Sequence, residues 1–203
     1  MSDEALQRAR RLQARNPGAP DAHILVGDAL GTKGDFAAAA EEYRKAANLA
    51  FNEPVALRMI EALQRSGQGP AATRVLELFL QQNPQNVPAQ LLAASLFMQN
   101  SKWPDAIRVY EGLRKRLGDG DAAMLNNLAW AYSGQGQYSK AIPLAQKAWS
   151  LDKRNPATTD TLGWLLFKSG ANKEQGIALI ERAARGAPKD ETVRRHLDAV
   201  RQG

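Results

Sequence analysis

The chain contains no cysteine. Disulfides, thiolate metal sites and a cysteine nucleophile are therefore excluded. Only two histidines occur, His23 and His196, near opposite ends of the 203 residues. They are too far apart to be expected to share a metal or a proton relay, and each reads as an ordinary helix-surface residue. No apolar run approaches the roughly 20 residues that a membrane span needs. The opening stretch, Met1 to Arg11, is polar and helical in pattern and lacks the apolar segment of a secretory signal. Aromatics are scarce at 6%, while alanine, leucine, glutamine and arginine abound, which suits helices better than strands. With 16 glycines and 10 prolines, no low-complexity class applies.

Catalytic patterns are missing too. Gly134-Gln135-Gly136 has neither a preceding strand nor a following Gly-Lys-Ser/Thr, so it reads as a turn between helices and not as a phosphate cradle. The neighbouring carboxylates Glu41 and Glu42 stand beside Arg44 and Lys45, the pattern of a solvated helix face. No catalytic residue, cofactor, metal site or small-molecule substrate is expected.

Charge is unevenly spread. The net charge is +6; residues 1–100 hold 10 basic and 10 acidic side chains, and residues 101–203 hold 17 and 11. The whole excess lies in the second half, which permits an acidic partner there without requiring one. A nucleic-acid surface would interleave its basic residues with aromatics. Arg114, Lys115, Arg116, Arg182 and Arg185 do not show that pattern, and nucleic acid is not the expected partner.

What the sequence does contain is a period. Turn-forming residues recur at Gly34, Gly67, Ser101, Gly136 and Gly170, with gaps of 33, 34, 35 and 34. Seven residues before each stands Gly27, Ile60, Ala94, Ala129 or Gly163. After each turn comes a small residue, Ala39, Ala72, Ala106, Ala141 and, one residue later than the rest, Gly176. Bulkier positions follow at Tyr43, Leu76 and Tyr110. Two helices joined by a short turn approach closely only where side chains are small, and the large ones fill the space towards the next pair. Pro84 and Pro188 close their units, and Pro70 and Pro104 open second helices, where proline is tolerated. Pro143 falls inside a helix, near its start. Ile60 is the one bulky residue in the compact series and puts close packing there in question.

A helix–turn–helix unit of this length, best seen in LNNLAWAYSGQGQYSKAIPLAQKAWSLD (Leu125 to Asp152), resembles the tetratricopeptide repeat. The resemblance covers nearly the whole chain. It implies an all-α, right-handed superhelical solenoid of antiparallel helix pairs in a single domain. Its units run over 20–52, 53–86, 87–121, 122–155 and 156–190. Residues 1–19 read as a half repeat, with Ala5, Ala9 and Leu12 on its buried face, and residues 191–203 as a closing helix with Arg194, Arg195, Asp198 and Arg201 outward. Starting on a second helix suggests a piece of a longer protein, and the unmated half repeat could also stack on another copy.

The resemblance further implies a non-catalytic scaffold that binds a partner protein or peptide along the groove formed by the first helices. The candidate lining is Met98 in the third repeat, Asn126 and Trp130 in the fourth, and Asp160, Trp164, Phe167 and Lys168 in the fifth. Asn126 and Asp160 are 34 apart, as are Trp130 and Trp164, giving a polar ladder beside an aromatic one. Whether the two tryptophans line the groove or pack between repeats stays open. Asn127 is expected to make a structural hydrogen bond between repeats. The early helices carry Ile24, Asp28, Leu57 and Glu61, not the lysine, asparagine and arginine with which some members clamp acidic chaperone tails.

More narrowly, LNNLAWAY, DTLGWLLFKSG and IALIERAARGAPKDETVRRHL are similar to the C-terminal repeats of bacterial tetratricopeptide proteins of exopolysaccharide and PEP-CTERM/exosortase systems. That likeness implies a place in the cell envelope; otherwise a cytoplasmic one is expected. Two alternatives accompany the scaffold reading: an anionic polymer, polysaccharide or nucleic acid, held by the basic second half, or a regulatory repeat region of a larger enzyme.

Overall fold

The computed structural model describes residues 2–202. Among these are twelve α-helices and no strand. They are α1 (Ser2–Arg15), α2 (Pro20–Thr32), α3 (Phe36–Leu49), α4 (Glu53–Arg65), α5 (Gly69–Gln82), α6 (Val87–Gln99), α7 (Trp103–Leu117), α8 (Ala122–Gly134), α9 (Tyr138–Leu151), α10 (Pro156–Ser169), α11 (Lys173–Gly186) and α12 (Glu191–Gln202). Two compact units result, Met1–Gln90 and Leu91–Gly203. In the first, α1 to α5 pack in chain order, each on the next. In the second, α7 to α12 do the same, and α10 also meets α8 and α12.

Helix starts are set by capping. Asn52, Asp121 and Asn155 accept from the backbone amides of Val55, Met124 and Ala157 at 3.2, 3.0 and 2.9 Å, satisfying donors that the first turn leaves over. Proline occupies the first turn of α2, α4, α5, α7 and α10, where its missing N–H costs nothing. Pro143 lies inside α9.

Helix ends are set by the turn residues. Gly34, Gly67, Gly136 and Gly170 have φ of 83°, 79°, 71° and 73°, and Ser101 is, among the described residues, the one non-glycine with positive φ, at 54°. The amide after the turn residue reaches back five positions: Asp35 to Leu30 at 3.0 Å, Gln68 to Leu63 at 2.8 Å, Lys102 to Phe97 at 2.8 Å and Gln137 to Tyr132 at 3.0 Å. This left-handed closure suits glycine and strains a Cβ-bearing residue. Ser101→Gly is therefore expected to stabilise the protein by about 1 kcal/mol, read as a higher urea midpoint with an unchanged slope.

The small residues sit where the helices come closest. Ala39, Ala72, Ala106 and Ala141 are fully buried. A Cβ on Gly27 would meet the Tyr43 ring at 2.6 Å, and one on Gly163 would meet the Gly176 carbonyl at 2.8 Å. Ile60 is also fully buried. It is accommodated because Leu76 stands in its repeat where the first repeat has the larger Tyr43, so volume moves from one helix to the other. The expected face of α1 needs correction. Ala5 and Leu12 are exposed, and Leu6 and Ala9 are buried. The helix turns its larger side chain, Leu6, towards α2, rotating the apolar stripe by one position.

Candidate binding site

Equivalent positions of α8 and α10 carry Asn126 and Asp160, then Trp130 and Trp164, one turn further on. The polar pair is buried, with Asn126 8% and Asp160 3% exposed. Both tryptophans are half-buried. The centre of the cluster comes from α12. His196, 8% exposed, bonds through Nδ1 to Asp160 Oδ2 at 2.7 Å. Its ring stacks on Trp164 with centroids 4.0 Å apart and an interplanar angle of 11°, and on Trp130 at 5.7 Å and 28°. Trp164 also stacks on Phe167 at 6.1 Å. Lys168 Nζ lies 5.4 Å from the Trp164 ring centre and Lys173 Nζ 5.7 Å from that of Phe167.

The arrangement corrects the expectation for both histidines. His196 is not a surface residue but joins three helices. His23 is half-buried, with Nδ1 2.8 Å from Glu42 Oε2 and Gln13 Nε2 donating to the same oxygen at 2.6 Å, so it ties α1, α2 and α3 together. Burial pushes the Glu42 carboxyl up, but hydrogen bonds from Lys45, His23 and Gln13 outweigh it and hold the group below its ordinary value. A signal for His196 was present in the register. It stands 34 residues after Leu162, which stands 34 after Leu128, and both leucines are core residues. The α12 helix thus repeats the pattern of a first helix.

The remaining candidates divide. Phe167 is half-buried and Lys168 exposed, at the edge of the cluster. Met98 is half-buried on α6 and is not among the rings that gather at His196. Asn127 bonds the buried Tyr110 hydroxyl of the preceding repeat, the inter-repeat role expected of it. Two acceptors of the cluster, Asn126 Oδ1 and Asp160 Oδ1, are buried without a hydrogen-bond partner. Buried polar atoms are normally paired, so these two are exceptions with a cost.

The first unit has a different face. Asp28 accepts from the Tyr43 hydroxyl at 2.7 Å and Arg58 Nε at 3.1 Å. Burial and this carboxylate push the Tyr43 hydroxyl well above its ordinary value. The Arg65 guanidinium lies 4.0 Å over the Phe36 ring. These residues, with Glu61 and Thr32, line a cavity of about 510 Å³ in which acid and base already pair.

No helix among the described residues is long and apolar enough to cross a membrane. Comparison with curated proteins returned no match. Among solved structures, a chain of the APC/C heterotetramer Cut9–Hcn1 is 16% identical with a TM-score of 0.76 over 98% of this chain; the match takes in 39% of that chain's length. MamA from Desulfovibrio magneticus RS-1 is 20% identical with a TM-score of 0.73, over 85% of this chain and 97% of its own. BtubC from P. vanneervenii is 21% identical at 0.71, over 92% and 88%. At these identities the likeness is one of fold, an all-α array of helix-pair repeats. A tetratricopeptide-repeat family model matches residues 2–53 and 91–156, more than half of the sequence. With the repeat period, the left-handed turns and this match together, the chain belongs to the tetratricopeptide-repeat family.

Proposed function

We propose that the chain is a non-catalytic scaffold that holds an extended segment of a partner protein on the first helices of its second unit. The observation that carries this reading is the pair Trp130 and Trp164. They are half-buried aromatics at equivalent positions, with polar groups one turn away and Phe167 and Lys168 at the edge. Large aromatics ringed by polar groups are what binding hot spots favour. A similar repeat chain was solved within a heterotetramer, which supports an assembly role by analogy. The test is affinity capture with the intact chain and with the double variant Trp130→Ala, Trp164→Ala. The variant is expected to lose the partner while keeping its helical circular dichroism. Equal recovery would move the site elsewhere.

The envelope and exopolysaccharide setting rests on the motifs LNNLAWAY, LGW and their companions alone. A bacterial origin, self-association through residues 1–19, membership of one continuous domain and a role as the regulatory region of a larger enzyme are further proposals, read from the sequence alone. The second reading, an anionic polymer on the basic half, is favoured by the charge excess in residues 101–203. Several of those charges are engaged: Arg114 pairs with Asp119 at 2.6 Å, and Arg182 donates to the Lys153 carbonyl at 3.0 Å. Titration with heparin at rising salt separates the two readings, because electrostatic binding weakens steeply with ionic strength.

A further inference from the structure

The cluster at His196 has more hydrogen-bonding capacity than its occupant uses. Asp160 is 3% exposed and spends one carboxylate oxygen on His196; the other is sealed and unpaired. Asn126 is 8% exposed, and its carbonyl oxygen is likewise sealed and unpaired. The two unpaired atoms are both acceptors, and each residue stands one helical turn from an indole, Asn126 from Trp130 on α8 and Asp160 from Trp164 on α10. Such a set asks for a planar cation with several donors. An imidazole has at most two N–H groups, one of which is used here. A guanidinium has five in a fixed fork, pairs with both oxygens of a carboxylate and stacks on indole. An ammonium is a point donor and fits such a plane less well.

We propose that Asn126, Asp160, Trp130 and Trp164 form a recognition site for an arginine side chain of a partner peptide, and that His196 of α12 occupies it as a built-in stand-in. The inference rests on the groove reading above and adds to it the partner's chemistry and a gate. In the resting protein the imidazole fills the space between the rings and holds α12 down. An incoming guanidinium replaces it, satisfies the two orphaned acceptors and frees α12. Val193 and Val200, both buried, anchor that helix. A competing element of this kind lowers apparent affinity by the fraction of molecules in which the site is open. The chain's net charge of +6 works against non-specific attraction of a basic peptide, so binding that survives reports the site.

The probe is a fluorescein-labelled Gly/Ser nonapeptide with one central arginine, with lysine and glutamate versions as controls, titrated into the full chain. His196→Ala is expected to bind the arginine peptide at least about tenfold more tightly than the unmodified chain. Arginine is expected to exceed lysine and glutamate not to bind. Adding Asp160→Asn to His196→Ala is expected to remove the gain. A second measurement needs no substitution: amide exchange in α12 of the unmodified chain should speed up at saturating arginine peptide. Equal binding of arginine and glutamate peptides overturns the ligand class, and unchanged affinity in His196→Ala with unchanged α12 exchange overturns the gate. In both cases the groove reading still stands if the captured partner is lost in the tryptophan double variant. If that partner is retained, the groove reading itself falls.

Discussion

Tyr110→Ala is expected to lower the unfolding free energy of the Leu91–Gly203 unit by about 3–5 kcal/mol, the range for emptying a large aromatic from a packed interior. Tyr110 is 1% exposed on α7, which packs on α8. Its hydroxyl bonds Asn127 on α8, so the substitution also strands an amide at the junction of two repeats. In a stack whose stability is a sum of unit and interface contributions, a loss at one interface uncouples the repeats on its two sides. Chemical denaturation of Tyr110→Ala should therefore show a lower midpoint and a broadened or divided transition. Tyr110→Phe separates the two causes, since it keeps the ring and costs only the hydroxyl bond, about 1 kcal/mol. A loss in Tyr110→Ala below 1 kcal/mol would mean that the ring is not the packing element described.

Asp160→Ala is expected to destabilise the same unit by about 2–4 kcal/mol. Removing one partner of a buried pair leaves the other, His196, desolvated with its Nδ1 unmatched. The cost should be smaller when His196 is replaced as well, because nothing is then left unpaired. A double-mutant cycle over Asp160→Ala and His196→Ala isolates the coupling. Strict additivity would show that the 2.7 Å contact carries no energy of its own. The effect should appear first as fraying of α12, which is tied down by His196 and by the buried Val193 and Val200.

Much of the fold was legible because a repeat reports the same constraint several times. One glycine at position 34 is weak evidence for a turn; five turn residues in register determine where every helix pair begins and ends. Ser101 could be read as a turn residue only through that register, since serine by itself says nothing of a positive φ. The register was less use at the ends. The face of α1 departs from the pattern because the choice between Ala5 and Leu6 is settled by packing on α2, which buries Leu6 and leaves Ala5 exposed. The candidate ladder was legible as a spacing, Asn126 with Asp160 and Trp130 with Trp164. Its centre was not. Asp160 and His196 are 36 residues apart, two off the period, so no search for equal positions pairs them. Their meeting depends on the docking of α12 against α10. The repeated leucine position that ends in His196 was the clue, and a histidine in a leucine's place is a polar group that must find a partner.

On the proposed reading, the first helices of the second unit, and not the second helices, receive the partner. Amide hydrogen exchange of the full chain with and without the captured partner tests it most directly. Slowed exchange in α8 and α10, around Trp130 and Trp164, is the predicted result. Protection confined to α9 and α11, with α8 and α10 unchanged, would contradict it.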